Sequence, residues 1–508
     1  MIAKESKIGF VIAGLLLGIL MAAMDNTIVA TAMGTIVAEL GGMEQFVWVT
    51  SAYMVAVMAG TPIFGKLSDM FGRKRFFIFG MVLFLIGSAL CGTAHSIVQL
   101  SIYRAIQGIG GGALMPIAFT IVFDIFPPEK RGKMGGLFGA VFGISSIFGP
   151  LLGAYITEYI GWNWVFYINL PIGVVALIFI GAFYHESLKH MKQNIDWFGA
   201  TTLVAAVVCL MFALELGGQK YAWNSLVIIG LFAAFVALFV AFLVAETKAS
   251  EPIISFAMFK QRLFASSNAV ALFYGASYIV ATIYIPIYVQ GVYGGSATNS
   301  GLILMPMMLG SVVGSQAGGF FSAKTSFRNI MIFSVVCFVL GIFLLGTLTP
   351  ETSRITLTLY MILTGFGVGF SFSVLSMASI HNFDMRQRGA ATSANSFLRS
   401  FGMTLGITVF GIIQRNAFAG GIAESFAGGG QLPGGKLGDP RDMLSPEKRA
   451  MIPPDVLNKI TDTLSSSIAQ TFMWALIPAL LAAVFVFMMS GERVKSAAKP
   501  LKPEASGG

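Results

Sequence analysis

The chain has 508 residues, of which 56% are hydrophobic and only 11% charged, with a mean hydropathy of +0.81. Soluble domains carry about 25% charged residues, so a water-clothed globular fold is excluded and one polytopic membrane domain is expected. The net charge of +9 does not argue for a nucleic-acid partner, because Lys and Arg gather in short loops between apolar runs, as membrane topology requires.

Fourteen apolar segments are predicted to cross a bilayer, at roughly 8–37, 46–64, 76–94, 97–123, 134–157, 163–183, 197–217, 224–245, 263–290, 297–321, 330–349, 355–381, 390–415 and 468–490. They lack the polar–apolar alternation of barrel strands, so an all-α membrane protein is expected. The first segment is a full span and not a cleaved leader. Its single charge is Asp25. A carboxylate at bilayer depth costs roughly 3 kcal/mol even on insertion scales. Asp25 must therefore face a cavity or a partner, and it is the leading functional residue.

The loop after span two reads Gly65-Lys66-Leu67-Ser68-Asp69-Met70-Phe71-Gly72-Arg73-Lys74-Arg75. Gly65 and Gly72 permit a tight turn and close approach. Asp69 can pair with Arg73 or sit at a helix N-terminus, where a carboxylate is favoured. Span four carries Arg104-Ala105-Ile106-Gln107-Gly108, and an intramembrane Arg needs an acidic or carbonyl partner. Its following glycines, Gly110 to Gly112, have no preceding strand and make no nucleotide loop. Span five contains Gly136, Gly139, Gly143, Gly149-Pro150 and Gly153, small positions for close packing with a proline kink. Span ten, from Ala297 to Phe321, has no acidic residue, and Glu215 near the end of span seven reads as interfacial. Residues 416–467 form a polar loop, with Pro453-Pro454 preceding a short amphipathic helix.

Basic residues place both termini in the cytoplasm. A weak repeat with an offset near 255 residues pairs Arg131-Gly132 with Arg388-Gly389, and Gly65-Lys66-Leu67-Ser68 with Gly319-Phe320-Phe321-Ser322. The expected units are a six-helix bundle over 1–190, two inserted helices over 191–250, five helices of a second bundle over 251–415, the outside loop 416–467, the last span 468–490 and a cytoplasmic tail 491–508. Cys91, Cys209 and Cys337 are far apart in apolar runs and imply no disulfide or metal framework. The histidines His95, His185, His190 and His381 are scattered, and no nucleophile–His pair, metal cluster or ATP loop is seen, so an enzyme is not expected.

The 65–75 loop resembles the signature between helices two and three of the major facilitator superfamily. Arg104 with Gln107-Gly108 resembles the family's helix-four motif. The glycine-proline run of span five is similar to the motif of its antiporters, with Ser145 and Ala154 standing where glycines are usual. Asp25-Asn26-Thr27-Ile28-Val29, and Ser300-Gly301-Leu302 through Met305-Pro306, resemble the fourteen-helix drug:H+ antiporters.

The resemblance implies two six-helix bundles rocking about a central cavity, with two inserted helices. It implies that Asp25 carries the proton and Arg104 tunes it. Gly65, Asp69, Gly72, Arg73 and Lys74 would latch the cytoplasmic side, and Gly149, Pro150 and Gly153 would form the antiporter motif. An apolar pocket with a few polar groups is expected from Tyr53, Gln107, Tyr274, Tyr278, Tyr284 and Asn395. The expected activity is proton-coupled efflux of lipophilic drugs from a monomer in the cell membrane, with no cofactor beyond the proton gradient. Export of one physiological metabolite by the same fold is the alternative.

Overall fold

A computed structural model describes residues 7–41, 47–186, 195–218, 220–249, 251–294, 297–426 and 453–493. Among them the backbone forms helices and one isolated bridge, Gly217 to Tyr221. In chain order the helices are α1 (Ile8–Leu40), α2 (Val47–Phe71), α3 (Arg73–Gly92), α4 (Ile97–Ile125), α5 (Pro128–Tyr159), α6 (Trp164–Tyr167), α7 (Asn169–Phe183) and α8 (Trp197–Leu216). They continue as α9 (Leu226–Lys248), α10 (Phe256–Phe259), α11 (Arg262–Gly291), α12 (Ala297–Ser322), α13 (Phe327–Leu345), α14 (Arg354–Ile380), α15 (Arg388–Phe426) and α16 (Pro454–Met488).

Thirteen described segments are long and apolar enough to cross a membrane, α6 and α7 counting as one. The expected fourteen exceeds that number by α12 alone, a 26-residue helix packed between α5 and α14.

Local chemistry sets the helix starts. The side chains of Ser96, Asp196, Ser225, Ser326 and Ser353 each accept a bond from a first-turn N–H, at α4, α8, α9, α13 and α14. At α3 the cap comes from afar, as the Glu186 carboxylate accepts from the N–H groups of Arg73 (3.0 Å) and Lys74 (3.3 Å). Gly72 joins α2 to α3 at φ +112°, a conformation that side chains disfavour.

Packing reveals a repeat. In the first bundle α2 and α3 both pack on α4, α1 packs on α5 and α7, and α3 on α7. In the second, α12 and α13 pack on α14, α11 packs on α15 and α16, and α13 on α16. Matching α1–α5 and α7 to α11–α16 in order reproduces the pattern. The two seams between bundles, α5 on α12 and α2 on α15, are also symmetry mates under that matching. The repeat persists at atomic scale, where Ser68 Oγ donates to Gly65 O (2.8 Å) and Ser322 Oγ to Gly319 O (2.7 Å).

The inserted pair α8–α9 sits beside the α2–α15 seam. Leu203, Val207, Leu210 and Phe242 cluster with Met58 and Ala59 of α2 and Phe397 of α15. The rest of α9 turns outward, with Leu226, Ile229, Val236 and Val240 exposed, as a lipid-facing helix should be.

The stretch expected as a polar loop over 416–467 is shorter than that. α15 continues to Phe426 and α16 begins at Pro454, so the expected short amphipathic helix is the first part of the last long helix. A proline in the first turn is compatible with helix because its missing N–H would be unbonded there. The Gly428–Gly430 and Pro433–Gly435 turns lie outside the described residues.

Candidate functional site

Asp25 is fully buried, with 0% exposure, but it does not face lipid. It sits inside the first bundle, where α1, α3, α4 and α7 meet. Its Oδ1 accepts from Gln107 Nε2 (2.8 Å) and Asn169 Nδ2 (3.0 Å), and its Oδ2 pairs with Arg104 Nη1. Arg104 Nη1 also donates to Gln107 Oε1 (2.6 Å), and its Nε to Val49 O (3.3 Å). The guanidinium lies over the Tyr53 ring, 4.1 Å from its centroid. Ser88 Oγ closes the nest, accepting from Gln107 (3.2 Å) and Asn169 (3.1 Å) and donating to Phe166 O (2.8 Å).

Removing two charges from water costs several kcal/mol per ion, and only good geometry with added hydrogen bonds offsets it. This nest supplies both, which explains why an aspartate is tolerated at that depth. Of the two alternatives expected for Asp25, a cavity or a partner, this conformation presents the partner, Arg104.

The structure brings together two motifs that are distant in sequence. The position of a Cβ at Gly149 lies 1.9 Å from Thr27 Oγ1, and at Gly153 it lies 2.1 Å from Thr31 Oγ1. The glycines of α5 are thus the sockets for the threonines that follow Asp25 on α1. Ser145 stands where a glycine was expected and is fully buried, with its Oγ donating to Val141 O (2.8 Å) and its carbonyl accepting from Thr27 (3.3 Å). Pro150 lies within α5.

A second charged cluster joins the bundles at the end where the basic residues gather. Asp69 accepts from Arg73 Nη2 (3.2 Å) and, across the seam, from the N–H groups of Gly389 (2.9 Å) and Ala390 (2.8 Å) at the start of α15. It is a carboxylate at a helix N-terminus, as the sequence suggested. Arg73 also donates to Met385 O and pairs with Asp124, and Arg388 Nη1 donates to Asp124 Oδ1 (2.9 Å). A Cβ at Gly65 would meet Ser393 Oγ at 1.8 Å and Gly389 O at 2.7 Å, so only glycine lets α15 approach. Lys74 stays within the first bundle, donating to Gly181 O (2.8 Å). Lys66 pairs with Glu251 (2.6 Å), just after the inserted helices.

Asp124, at the end of α4, pairs with both Arg73 and Arg388 and so ties the two bundles together in this cluster. Asn169 and Ser88 carry no signal in the sequence, because single amides and hydroxyls are common in apolar helices. Glu215, expected at an interface, is half-buried at the far end of α8 beside Ser51.

The expected pocket residues are not gathered in one place. Tyr53 and Gln107 belong to the Asp25 nest. Tyr274 is buried within the second bundle, stacked on Phe338 (4.5 Å) and bonded to Ser334 (2.9 Å). Tyr284 is buried on α11, and Asn395 donates to Asn268 (3.4 Å). Tyr278 alone is half-buried and reaches a seam, its hydroxyl donating to Met308 Sδ (3.7 Å). The side chains of Ser300, Gly301 and Leu302 lie outside the described residues. Among the described residues no group of His, Cys, Asp or Glu could hold a metal.

Comparison with known proteins agrees with this architecture. The chain is 59% identical over 504 residues to multidrug resistance protein 3 of Bacillus subtilis (strain 168), covering 98% of both chains. It is 35% identical to multidrug transporter protein MdtP of the same organism, with 98% of this chain and 94% of that one covered. The proton:xylose symporter XylE shares the fold at 15% identity, with a TM-score of 0.61 over 94% of this chain and 95% of that one. The Major Facilitator Superfamily model matches residues 15–407, and the chain, a multi-pass membrane transporter, belongs to that superfamily.

Proposed function

We propose that this protein is a proton-driven multidrug efflux transporter of the cell membrane, with about fourteen spans, acting as a monomer with both termini in the cytoplasm. Efflux of drugs is supported by the relatives at 59% and 35% identity, both named for multidrug resistance or transport. Orientation is supported by the Lys and Arg residues gathered at one end. The proton coupling rests on a single observation, the buried Asp25–Arg104 pair with Gln107 and Asn169 as further ligands.

The working cycle follows from the two charged clusters. With Asp69 and Asp124 holding α15 and Arg73, the cytoplasmic end is shut. Breaking those bonds lets the bundles rock along the α5–α12 and α2–α15 seams, which opens a path to the first bundle's buried nest. Once water reaches Asp25, protonation cancels its attraction for Arg104. Two conformations with different proton affinities at one carboxylate are what exchange transport requires. The gradient supplies the work, since one charge crossing 100 mV is worth about 2.3 kcal/mol.

The test uses everted vesicles loaded with ethidium transport assays under an imposed pH gradient. Asp25→Asn keeps the shape and one accepting oxygen but cannot ionise, and gradient-driven accumulation should fall to background while the protein remains folded. Accumulation at the parent rate would refute the proton role.

A further inference from the structure

Arg399 lies within α15, eleven residues beyond its start, or about 16 Å along the helix axis at 1.5 Å per residue. That is close to the middle of a hydrocarbon core about 30 Å thick. Arg104, deep in the first bundle, has Asp25, and Arg73 and Arg388 at the basic end have Asp124. Among the described residues Arg399 has none. It donates one N–H to Ser371 O (3.2 Å) and rests over the Phe372 ring, 4.7 Å from its centroid.

A guanidinium cannot shed its charge and offers five donors. An unpaired charge at that depth is costly and is kept only for a purpose. The helix register shows where it faces. Thr392 lies seven residues earlier, two turns below on the same stripe of α15, and its hydroxyl meets Thr120 of α4 across the seam (3.4 Å). Arg399 therefore leaves α15 on the stripe nearest the opposite bundle, and its guanidinium turns onto α14 of its own bundle. It is half-buried, as are its neighbours Phe372 and Tyr278, whose rings meet edge to face at 6.2 Å. Tyr278 in turn reaches Met308 at the α5–α12 seam. A cation and two rings, all partly accessible and gathered on α11, α14 and α15 of one bundle, make a site with one missing component, a negative charge.

We propose that Arg399, with Phe372 and Tyr278, binds the anionic group of an aromatic cargo, a carboxylate seated on the guanidinium and its ring system against the two aromatic side chains. This rests on the efflux reading and narrows it: cargo bearing a carboxylate, or zwitterionic cargo, is taken in preference to purely cationic cargo.

The experiment titrates purified protein with dansylglycine, a fluorescent aromatic carboxylate, and with its neutral amide. The parent should bind the acid at least tenfold more tightly than the amide. Arg399→Gln should abolish that ratio by weakening the acid alone, and Arg399→Lys should restore part of it. Equal binding of acid and amide by the parent overturns the proposal. So does an Arg399→Gln protein that loses both ligands equally while eluting as a monodisperse peak, since that marks a structural role. Vesicle transport separates the two readings. Ethidium export without preference for the acid sinks the anion site and leaves efflux standing. Selective binding of the acid without export of either compound sinks efflux and leaves the site.

Discussion

At the scale of single residues, the nest around Asp25 is a matter of counting donors. The carboxylate takes three side-chain donors, from Arg104, Gln107 and Asn169. Hydrogen bonds to charged groups contribute about 1.5–3 kcal/mol each. Asn169→Leu removes one of them and also leaves Ser88 Oγ without one of its two donors. A loss of that size should slow gradient-driven efflux by about tenfold or more, at 1.4 kcal/mol per tenfold, while thermal unfolding remains cooperative. An Asn169→Leu protein that transports at the parent rate would show that the amide is packing and not part of the site. Asp25 and Arg104 were legible in the sequence because a charge in an apolar run is conspicuous. Asn169 was not, because its partners lie 144 and 81 residues away and only the folded bundle brings them together.

At the scale of elements, the α1–α5 seam depends on small residues meeting hydroxyls. Adding a Cβ at Gly149 places it 1.9 Å from Thr27 Oγ1 and 2.9 Å from Thr27 Cβ, whereas Met24 O is 3.4 Å away. Overpacking of this kind costs about 1–3 kcal/mol. Gly149→Ala should lower the melting temperature in detergent, and adding Thr27→Ala should recover part of the loss by removing the nearest atom. If the double variant melts no higher than the single one, the clash lies elsewhere and the socket account is wrong. The glycine–proline motif was visible as a pattern, but its socket role was not, since nothing in the sequence says which helix fills a gap. The ends of α15 and α16 were misjudged for a related reason. Polar residues such as Asn458, Asp462 and Ser465 break the apolar run without breaking the helix, and hydropathy registers the first and misses the second. Not every ion pair at the basic end matters equally. The Lys66–Glu251 pair, 16% and 32% exposed, is of the surface kind that contributes about 0–1 kcal/mol. Asp69 and Asp124 are 1% and 8% exposed, so the closing energy resides with them.

At the scale of the whole molecule, the proposed rocking has the two bundles separate at the basic end, and Thr120 and Thr392 provide a direct means of preventing it. Their hydroxyls lie 3.4 Å apart, one on α4 and one on α15, so they belong to opposite bundles. They also lie one turn beyond the Asp69 contacts at Gly389 and Ala390, on the route along which α15 must move. A disulfide joins Cβ atoms about 3.5–4.5 Å apart, and side-chain tips already 3.4 Å apart make these two positions the place to try one. In a background lacking Cys91, Cys209 and Cys337, Thr120→Cys with Thr392→Cys should transport while reduced. Oxidation should cut transport at least tenfold, and dithiothreitol should restore it, because a covalent bond holds the closed state where Asp69 and Asp124 hold it only reversibly. Each single cysteine variant should be indifferent to oxidant. If the oxidised double variant, shown to be cross-linked by mass, exported ethidium as fast as its reduced form, the bundles would not part along α4 and α15, and rocking about the centre would have to give way to a motion that leaves this seam intact.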